Sequence, residues 1–274
     1  MRLQITLAIP SGSRLNVNYQ HYLSALAYDL ISRNAPRFAQ TLHEGTQWQN
    51  ESRSFKYFTF SQLYGGPGTT EYQKGHLVFH TEKLRWTFDS AHPAITSVVS
   101  NGLLQVEKIR IGTLEAHVAD IHNDEEPDFS HGSLNCTCLS PVVSSVYDDK
   151  MGHRYLAPTD PAFWEGLAVN ALRKWQALFG DPVPERPRFL PDMDYLTRHK
   201  KTSKLIRFKE REIIIGHLIP FAIEAHPPLL SLLYHGGIGS RNALGFGMIG
   251  ATTQRTSGLR SRSEATKTQY HDKA

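Results

Sequence analysis

The sequence is poor in cysteine: among its 274 residues only Cys136 and Cys138 carry a thiol. Two thiols are too few for a disulfide framework or a four-thiolate zinc site. Because they stand one residue apart, they point to the same side of a strand, where neighbouring cysteines rarely bridge. We interpret both as reduced strand residues packed in a cytoplasmic protein.

A long hydrophobic run is also missing. The longest apolar stretch, residues 213–223, is interrupted by His217 and Pro220 and is too short to span a bilayer. Residues 1–10 (MRLQITLAIP) alternate apolar and polar, which predicts a strand and not the apolar core of a secretory signal. We therefore expect no membrane association.

Charge of either sign is not extreme, since 30 Lys and Arg against 26 Asp and Glu give a formal net charge of +4. That balance permits nucleic-acid binding without requiring it, so the local distribution of charge matters more. With 40% hydrophobic and 20% charged residues, the chain can bury a sizeable core and is not disordered by composition.

The first half of the sequence alternates strand and helix patterns. Periodicity predicts strands over residues 1–10, 55–63, 76–79, 84–88 and 103–121, and helices over 19–31 and 93–102. Asn18 is the expected N-cap of the first helix. The long elements follow in the order strand, helix, strand, strand, helix, strand, which is the ferredoxin-like arrangement.

The second half repeats this order after an acidic boundary, residues 122–132 (HNDEEPDFSHG). Strands are predicted over 134–147, 189–211, 212–224 and 244–251, and helices over 161–179 and 227–235. The sequence therefore predicts an α+β protein with two tandem ferredoxin-like (RRM-like) domains, residues 1–124 and 130–251. A polar tail over residues 252–274 is expected to be mobile.

Positive charge is concentrated in residues 198–211 (RHKKTSKLIRFKER), here called the basic segment, which holds seven Lys or Arg and one Glu. Successive outward residues of a strand lie about 7 Å apart, close to the spacing of phosphates along a nucleic acid. The segment is either an ordinary solvated face or an RNA contact through Lys200, Lys201, Lys204, Arg207 and Lys209, and we favour the RNA contact.

Glycine recurs in residues 237–250 (GIGSRNALGFGMIG), here called the glycine loop. No Gly-Lys-Ser/Thr occurs, so it is not a Walker motif, and its spacing is not that of a Rossmann fingerprint. It is either a packing loop or a backbone surface that approaches phosphates without Cβ interference. The second reading assigns RNA binding to the loop residues Gly237, Gly239, Arg241, Asn242, Gly245 and Gly247.

Several stretches together resemble one known family. The pattern over residues 237–248 (GIGSRNALGFGM) is similar to the C-terminal glycine-rich loop of the CRISPR-associated repeat-RNA processing endoribonucleases, members of the RAMP superfamily of ferredoxin-like RNA-binding proteins. The segments YLSALAY (22–28), LHE (42–44), FKYFTFS (55–61), NGLL (101–104) and LSP (139–141) fall in the same order as in that family. The resemblance covers about residues 1–251.

The resemblance implies cleavage of CRISPR repeat transcripts without a metal or another cofactor. In such a reaction the RNA 2′-hydroxyl attacks the adjacent phosphate and leaves a 2′,3′-cyclic phosphate and a 5′-hydroxyl. By similarity, His43 is the catalytic histidine that transfers protons, Tyr28 assists it and Lys56 stabilises charge on the phosphate. His21 is the reserve candidate, and His217 and His235 are further options.

Each of these residues also has a structural interpretation. Tyr28 can be a core residue with a wet hydroxyl, and Lys56 can be an ordinary exposed strand lysine. The alternative function is a non-catalytic RNA-binding subunit of a CRISPR ribonucleoprotein, and a weaker one is a nucleotide-binding enzyme. Other CRISPR-associated proteins and a second copy of the chain are candidate partners beside the repeat RNA.

Overall fold

The structure is a computed structural model and describes residues 1–37, 40, 49–50, 53–150, 152–182, 185–208 and 212–252, with the backbone alone at 49–50 and 53–54. Its helices are α1 (Gln20–Asn34), α2 (Pro93–Leu104), α3 (Pro161–Phe179), α4 (Met193–Arg198) and α5 (Pro227–Gly236). Its strands are β1 (Leu3–Ala8), β2 (Ser13–Asn16), β3 (Gln49–Asn50), β4 (Arg53–Ser54), β5 (Phe58–Phe60), β6 (Thr70–Gln73), β7 (His76–Phe79), β8 (Lys83–Ser90), β9 (Ile109–Ile111), β10 (Leu114–Asn123), β11 (Ser133–Cys138), β12 (Ser145–Asp148), β13 (Gly152–Tyr155), β14 (Arg188–Pro191), β15 (Ser203–Phe208), β16 (Glu212–His217), β17 (Phe221–Glu224) and β18 (Ile249–Ala251).

The first half is a ferredoxin-like domain. Its sheet has the strand order β5-β8-β1-β10-β9 with antiparallel neighbours. The four strands of the ferredoxin-like motif are β1, β5, β8 and β10, and they lie in the order expected for it. Strand β1 alternates as its sequence predicts, with Leu3, Ile5 and Leu7 buried. Aromatic rings fill the sheet around them, among them Phe58 stacked on Phe88 at 5.5 Å between centroids.

The second half has the same topology. Its sheet has the order β14-β17-β11-β18, again antiparallel, with α3 and α5 as the two crossover helices. Helix α3 begins at the predicted residue because Asp160 caps it, accepting a hydrogen bond from the Ala162 amide at 2.9 Å. It ends at Phe179, where Gly180 follows in the left-handed region. The fold class predicted from the sequence is therefore confirmed. The domain bounds 1–124 and 130–251 stay predictions, and the tail lies almost wholly outside the described residues.

Several predicted strands are shorter or divided in the structure. The strand predicted over 55–63 is reduced to β5, the one over 103–121 is split into β9 and β10 at Gly112, and the one over 134–147 is split into β11 and β12 around Pro141. The long strand over 189–211 is wrong: helix α4 interrupts it, because Asp192 accepts a hydrogen bond from the Tyr195 amide and caps a new turn. Before the closing strand β18, residues Asn242–Leu244 form a single 3-10 turn.

The two domains share one continuous apolar core, which includes Phe58 and Phe88 of the first and Leu229, Leu232 and Leu233 of the second. A buried polar link joins them. Arg2 donates to Asp89 of β8 at 2.8 Å and to the carbonyls of Tyr234 and Ile249, each at 2.8 Å. The pattern of β1 places Arg2 on its polar face, and the second domain then covers that face, which is why Arg2 is only 3% exposed.

The thiols are as expected from the sequence. Cys136 and Cys138 are both free cysteines of β11. Burial raises the pKa of the Cys138 thiol to about 12, and its Sγ donates to the Ile219 carbonyl at 3.1 Å. In the part of the chain that the structure describes, no helix is both long and apolar enough to cross a membrane.

Candidate functional site

Tyr28 lies on α1, which buries a stripe of apolar residues at helical spacing, among them Leu23, Ala27 and Leu30. The Tyr28 side chain stands at the border of this stripe, half-buried, with its ring edge-to-face on Phe58 of β5 at 5.5 Å between centroids. Burial raises the pKa of Tyr28 to about 12. The phenol therefore keeps its proton near neutral pH and can donate a hydrogen bond.

Lys56 precedes β5, the same edge strand that Tyr28 contacts. It is half-buried, and burial lowers the pKa of its ammonium below the usual value. The next residue, Tyr57, has a φ of 51°, a strained value for a side chain of this size. Three hydrogen bonds hold Tyr57 there: its hydroxyl donates to the Lys174 carbonyl, and its carbonyl accepts from the Ala91 amide and the Ser90 hydroxyl.

The histidine candidates are distributed differently. His43 lies outside the described residues, so its place relative to Tyr28 and Lys56 stays a prediction. His21 lies in the first turn of α1 and contacts Phe208 of β15 at 5.9 Å between ring centroids. It stands seven residues before Tyr28, about 10 Å along the helix. His217 is buried beside Thr202, and burial lowers the pKa of its imidazole.

His235, the remaining option, belongs to the link between the domains. Its Nδ1 lies 2.9 Å from Asp89 and its Nε2 lies 2.9 Å from Glu126. The same carboxylate of Asp89 accepts from Arg2, whose guanidinium also covers the Tyr234 ring at 3.7 Å. Both nitrogens of His235 are thus engaged with carboxylates, a structural role.

The basic segment is divided by the fold. Lys200 and Lys201 are exposed in the connection after α4, whereas Lys204 and Arg207 are exposed on β15. Lys209 lies outside the described residues. Lys204 and Arg207 are three residues apart and so start on opposite faces of the strand. The row of cations expected along one face consists of Arg207, Lys209 and Arg211, and the last two lie outside the described residues. That row, and the contact of these cations with RNA, therefore stay predictions.

Strands β15 and β16 pair into a hairpin that rests on both domains. Its inner face buries Ile206 and Ile214 against Phe246 of the glycine loop. The Arg207 amide donates to Asn18 Oδ1 at 2.9 Å, next to the start of α1. Asn18 is therefore not the N-cap expected from the sequence: the cap position is Tyr19, without a side-chain hydrogen bond.

The glycine loop packs more closely than an exposed phosphate-binding loop would. Gly237, Gly239, Gly245 and Gly247 are all buried, each with a positive φ, so the expectation of an exposed backbone at these glycines is wrong. A Cβ at Gly245 would overlap the Phe60 ring, and one at Gly247 would overlap the Ile238 carbonyl. The glycines allow close packing here, while their contact with RNA stays a prediction.

The least buried part of the loop is the turn around Arg241 and Asn242, which is half-buried. Arg241 is half-buried and pairs with Glu212 of β16 at 2.5 Å. The Asn242 amide donates to the carbonyls of Ile238 at 2.9 Å and Phe246 at 3.0 Å, so it shapes the loop from within. Because the polar atoms of Asn242 are used within the loop, Arg241 is the better candidate of these two residues for contact with RNA.

Sequence reasoning missed Lys174, the residue that holds the loop. Its Nζ donates to the carbonyls of Gly237 at 2.6 Å and Gly239 at 3.1 Å, and to Asn242 Oδ1 at 2.7 Å, which matches three donors with three acceptors. It is 2% exposed, and burial lowers the pKa of its ammonium to about 7. The signal in the sequence was a lysine within the apolar stripe of α3, four residues after Asn170 and seven after Leu167.

The first domain also contacts the glycine loop. Ser24 of α1 donates to the Ala243 carbonyl at 2.9 Å, and Thr59 of β5 donates to the Phe246 carbonyl at 3.0 Å. The loop therefore lies between Lys174 on one side and the elements that carry Tyr28 and Lys56 on the other. No cluster of three or more His, Cys, Asp or Glu able to hold a metal occurs among the described residues, and metal independence stays a prediction.

Comparison with known proteins gives concordant results for both halves. Residues 14–122 match the family model described as CRISPR-associated protein Cas6, N-terminal, and residues 124–251 match the one described as CRISPR associated protein Cas6, C-terminal. Over 251 residues, 87% of this chain and 84% of the relative, the chain is 28% identical to CRISPR-associated endoribonuclease Cas6 of Pyrococcus furiosus. Over 261 residues, 91% and 92% of the two chains, it is 24% identical to CRISPR-associated endoribonuclease Cas6 1 of Methanocaldococcus jannaschii.

Solved structures agree on the fold. A Cas6-related protein of Pyrococcus furiosus superposes with a TM-score of 0.76 at 21% identity, covering 93% of this chain and 99% of that one. A protein described as a RAMP protein binding different RNA substrates superposes with a TM-score of 0.75 at 19% identity, covering 92% and 99%.

Proposed function

Because the chain belongs to the Cas6 family of CRISPR-associated proteins, we propose that it is an endoribonuclease that cleaves CRISPR repeat transcripts into guide RNAs. The observation that carries the proposal is the match of both halves to this family, together with two relatives named endoribonucleases that align over most of their length. The proposal places the protein in the cytoplasm, with the repeat RNA as its partner. Assembly with other CRISPR-associated proteins, or as a homodimer, is a further hypothesis.

The proposed reaction needs no external nucleophile. The 2′-hydroxyl loses its proton as its oxygen attacks the adjacent phosphorus, the bond from phosphorus to the 5′-oxygen breaks, and that oxygen takes up a proton. The products are a 2′,3′-cyclic phosphate and a 5′-hydroxyl. A group that titrates near neutrality is needed for proton transfer, and positive charge is needed for the phosphorane.

His43, Tyr28 and Lys56 are the residues proposed for these roles. His43 transfers the proton. Tyr28, whose pKa burial raises to about 12, donates a hydrogen bond and does not act as a base near neutral pH. Lys56 supplies positive charge to the phosphate. The position of both residues next to β5 supports assigning Tyr28 and Lys56 to one site. The Tyr28 ring contacts Phe58 of β5, and Lys56 is joined to the start of β5 through Tyr57, whose backbone is strained.

The test is cleavage of a labelled repeat RNA by the purified full chain in excess chelator. We expect a single cut, a cyclic phosphate at the new 3′ end, and no cut when the scissile nucleotide carries a 2′-deoxy substitution. Binding without a cut would instead support the non-catalytic RNA-binding subunit. Loss of the cut in chelator, restored by a divalent ion, would overturn the metal-independent mechanism.

A further inference from the structure

A groove of about 660 Å³ lies between helix α3, the hairpin of β12 and β13, and the half-exposed turn of the glycine loop. Neither Tyr28 nor Lys56 lines it, so it is separate from these two residues of the proposed cleavage site. Its lining combines the side chains of Arg173, Asn170, Tyr147 and His153 with the loop residues Gly239 and Ser240.

Arg173 gives the groove an uncompensated positive charge. The other charged side chains on its wall have partners: Arg241 pairs with Glu212, and Glu165 pairs with Arg186. Arg173 is half-buried, and the described residues offer it neither a hydrogen bond nor an ion pair. A guanidinium that has lost part of its hydration without gaining a carboxylate is suited to a phosphate, which it binds through two parallel N–H donors.

Asn170 adds an unmet hydrogen-bonding group one helical turn earlier on α3. It is 9% exposed, and its Oδ1 is buried without a hydrogen-bond partner among the described residues. A buried amide oxygen without a donor destabilises the fold that contains it. A ligand with an amino group that enters the groove would supply the missing donor.

Tyr147 and His153 form the aromatic side of the groove. They face each other across the β12–β13 ladder, with ring centroids 5.3 Å apart in an edge-to-face arrangement. Both are exposed, and Tyr147 is exposed to 63%. An exposed tyrosine that lines the same groove as a cation without a carboxylate partner is suited to single-stranded nucleic acid: the ring stacks on a base and the cation contacts the phosphate.

We propose that this groove is a subsite for one nucleotide of single-stranded RNA, apart from Tyr28 and Lys56. The base stacks on Tyr147, its phosphate contacts Arg173, and its amino group approaches Asn170. Adenine, cytosine and guanine carry such an amino group and uracil does not, so the subsite prefers the first three. The inference rests on the proposed RNA-processing function for its ligand class.

The first arm of the test measures the affinity of the full chain for short oligoadenylate and oligouridylate by fluorescence anisotropy. We expect oligoadenylate to bind more tightly, and Tyr147→Ala to weaken its binding about fivefold to a hundredfold, the range for loss of one stacked base. Tyr72→Ala is the matched control, because Tyr72 of β6 is exposed to 68% and lies in the other domain. It should bind as the parent does.

The second arm measures salt dependence. Arg173→Ala should reduce the slope of log affinity against log salt by about 0.7, the value for one phosphate contact on a single strand. Arg154→Ala, an exposed arginine on the neighbouring strand β13, removes the same charge outside the groove and should leave the slope unchanged. If Tyr147→Ala and Arg173→Ala both bind like the parent, the inference is wrong.

Cleavage of repeat RNA, measured on the same proteins, distinguishes failure of the subsite from failure of the proposed function. A parent that cuts repeat RNA, with groove variants that bind oligoadenylate like the parent, overturns the subsite and leaves the nuclease standing. A parent that does not cut, but whose oligoadenylate binding depends on Tyr147 and Arg173, overturns the nuclease and supports the subsite. Binding of oligouridylate as tight as that of oligoadenylate would contradict the role of Asn170.

Discussion

The two ferredoxin-like domains share their topology, but their first helices hold the glycine loop in different ways. Helix α1 contacts the loop through a neutral hydroxyl, Ser24, which donates to the Ala243 carbonyl. Helix α3 contacts it through a buried ammonium, Lys174, which donates to three oxygens of the loop. The loop is therefore anchored in the second domain by three hydrogen bonds from one buried amine, whereas it contacts the first domain through single hydrogen bonds from neutral hydroxyls.

From this difference we infer that the two domains have different roles, the first in cleavage and the second in RNA binding. The first domain carries Tyr28 and Lys56, and its helix buries mostly apolar residues. The second domain carries the groove lined by Arg173 and Tyr147, the basic segment and the glycine loop, which are surfaces suited to RNA binding. On this inference, substitutions in the first domain should change the rate of RNA cleavage, and substitutions in the second domain should change the affinity for RNA.

The largest effect is expected from His43→Ala. Loss of a general acid or base should slow cleavage of repeat RNA about 10²–10⁴-fold, while RNA affinity stays near that of the parent. Single-turnover cleavage and filter binding on the same preparations measure the two quantities. His131→Ala, at an exposed histidine whose side chain is 82% exposed, is the control. A His43→Ala protein that cuts at the parental rate would exclude this imidazole and direct attention to His21.

A smaller effect, on affinity, is expected from the triple variant Lys201→Ala, Lys204→Ala and Arg207→Ala. Loss of three phosphate contacts should weaken RNA binding and reduce its salt slope by about 2, at about 0.7 for each contact on a single strand. Anisotropy at several salt concentrations gives both values.

The control for this variant removes three exposed cations elsewhere: Arg14, Lys83 and Lys150. It has the same net charge, so long-range electrostatics are matched. If both triple variants bind alike, the basic segment is not an RNA surface, and the expected role of the second domain in RNA affinity fails for this segment.

Much of the fold could be predicted from local patterns. Helices α2, α3 and α5 each begin at a proline in the first turn, as their sequences indicate, and β1 alternates as predicted. Helix α4 was missed because aromatic and apolar residues over 189–208 outweighed a single capping aspartate, Asp192. Propensity is a weak signal for a helix of six residues.

The site was less predictable, because its contacts join residues that are distant in the sequence. Lys174 could be recognised as a lysine in an apolar stripe, but its acceptors lie more than 60 residues further on. Arg2 has the pattern of a surface residue of β1 until α5 and β18 cover it. The candidates Tyr28, Lys56 and His43 came from family resemblance, and no periodicity in the chain would have selected them.

The smallest effect tests the charged anchor itself. Lys174 has its pKa lowered by burial to about 7, against an ordinary value of 10.5. Between these values the unfolded chain holds a proton on this amine that the folded chain has lost. The free energy of unfolding should therefore rise with pH above 7, by about 1.4 kcal/mol per pH unit for one such group. Below pH 7 both states are protonated and the contribution is flat.

Urea unfolding of the parent and Lys174→Met at pH 6, 7, 8 and 9 measures this contribution. Because methionine does not titrate, the difference in free energy of unfolding between the two proteins should be constant up to pH 7 and shift in favour of the parent above it. Lys83→Met, at an exposed lysine, should show no such pH dependence. If the difference in free energy of unfolding between the parent and Lys174→Met stays constant up to pH 9, the three oxygens around Nζ keep the ammonium charged. The loop would then be held by a permanent cation, and the contrast with Ser24 would be larger than the lowered pKa implies.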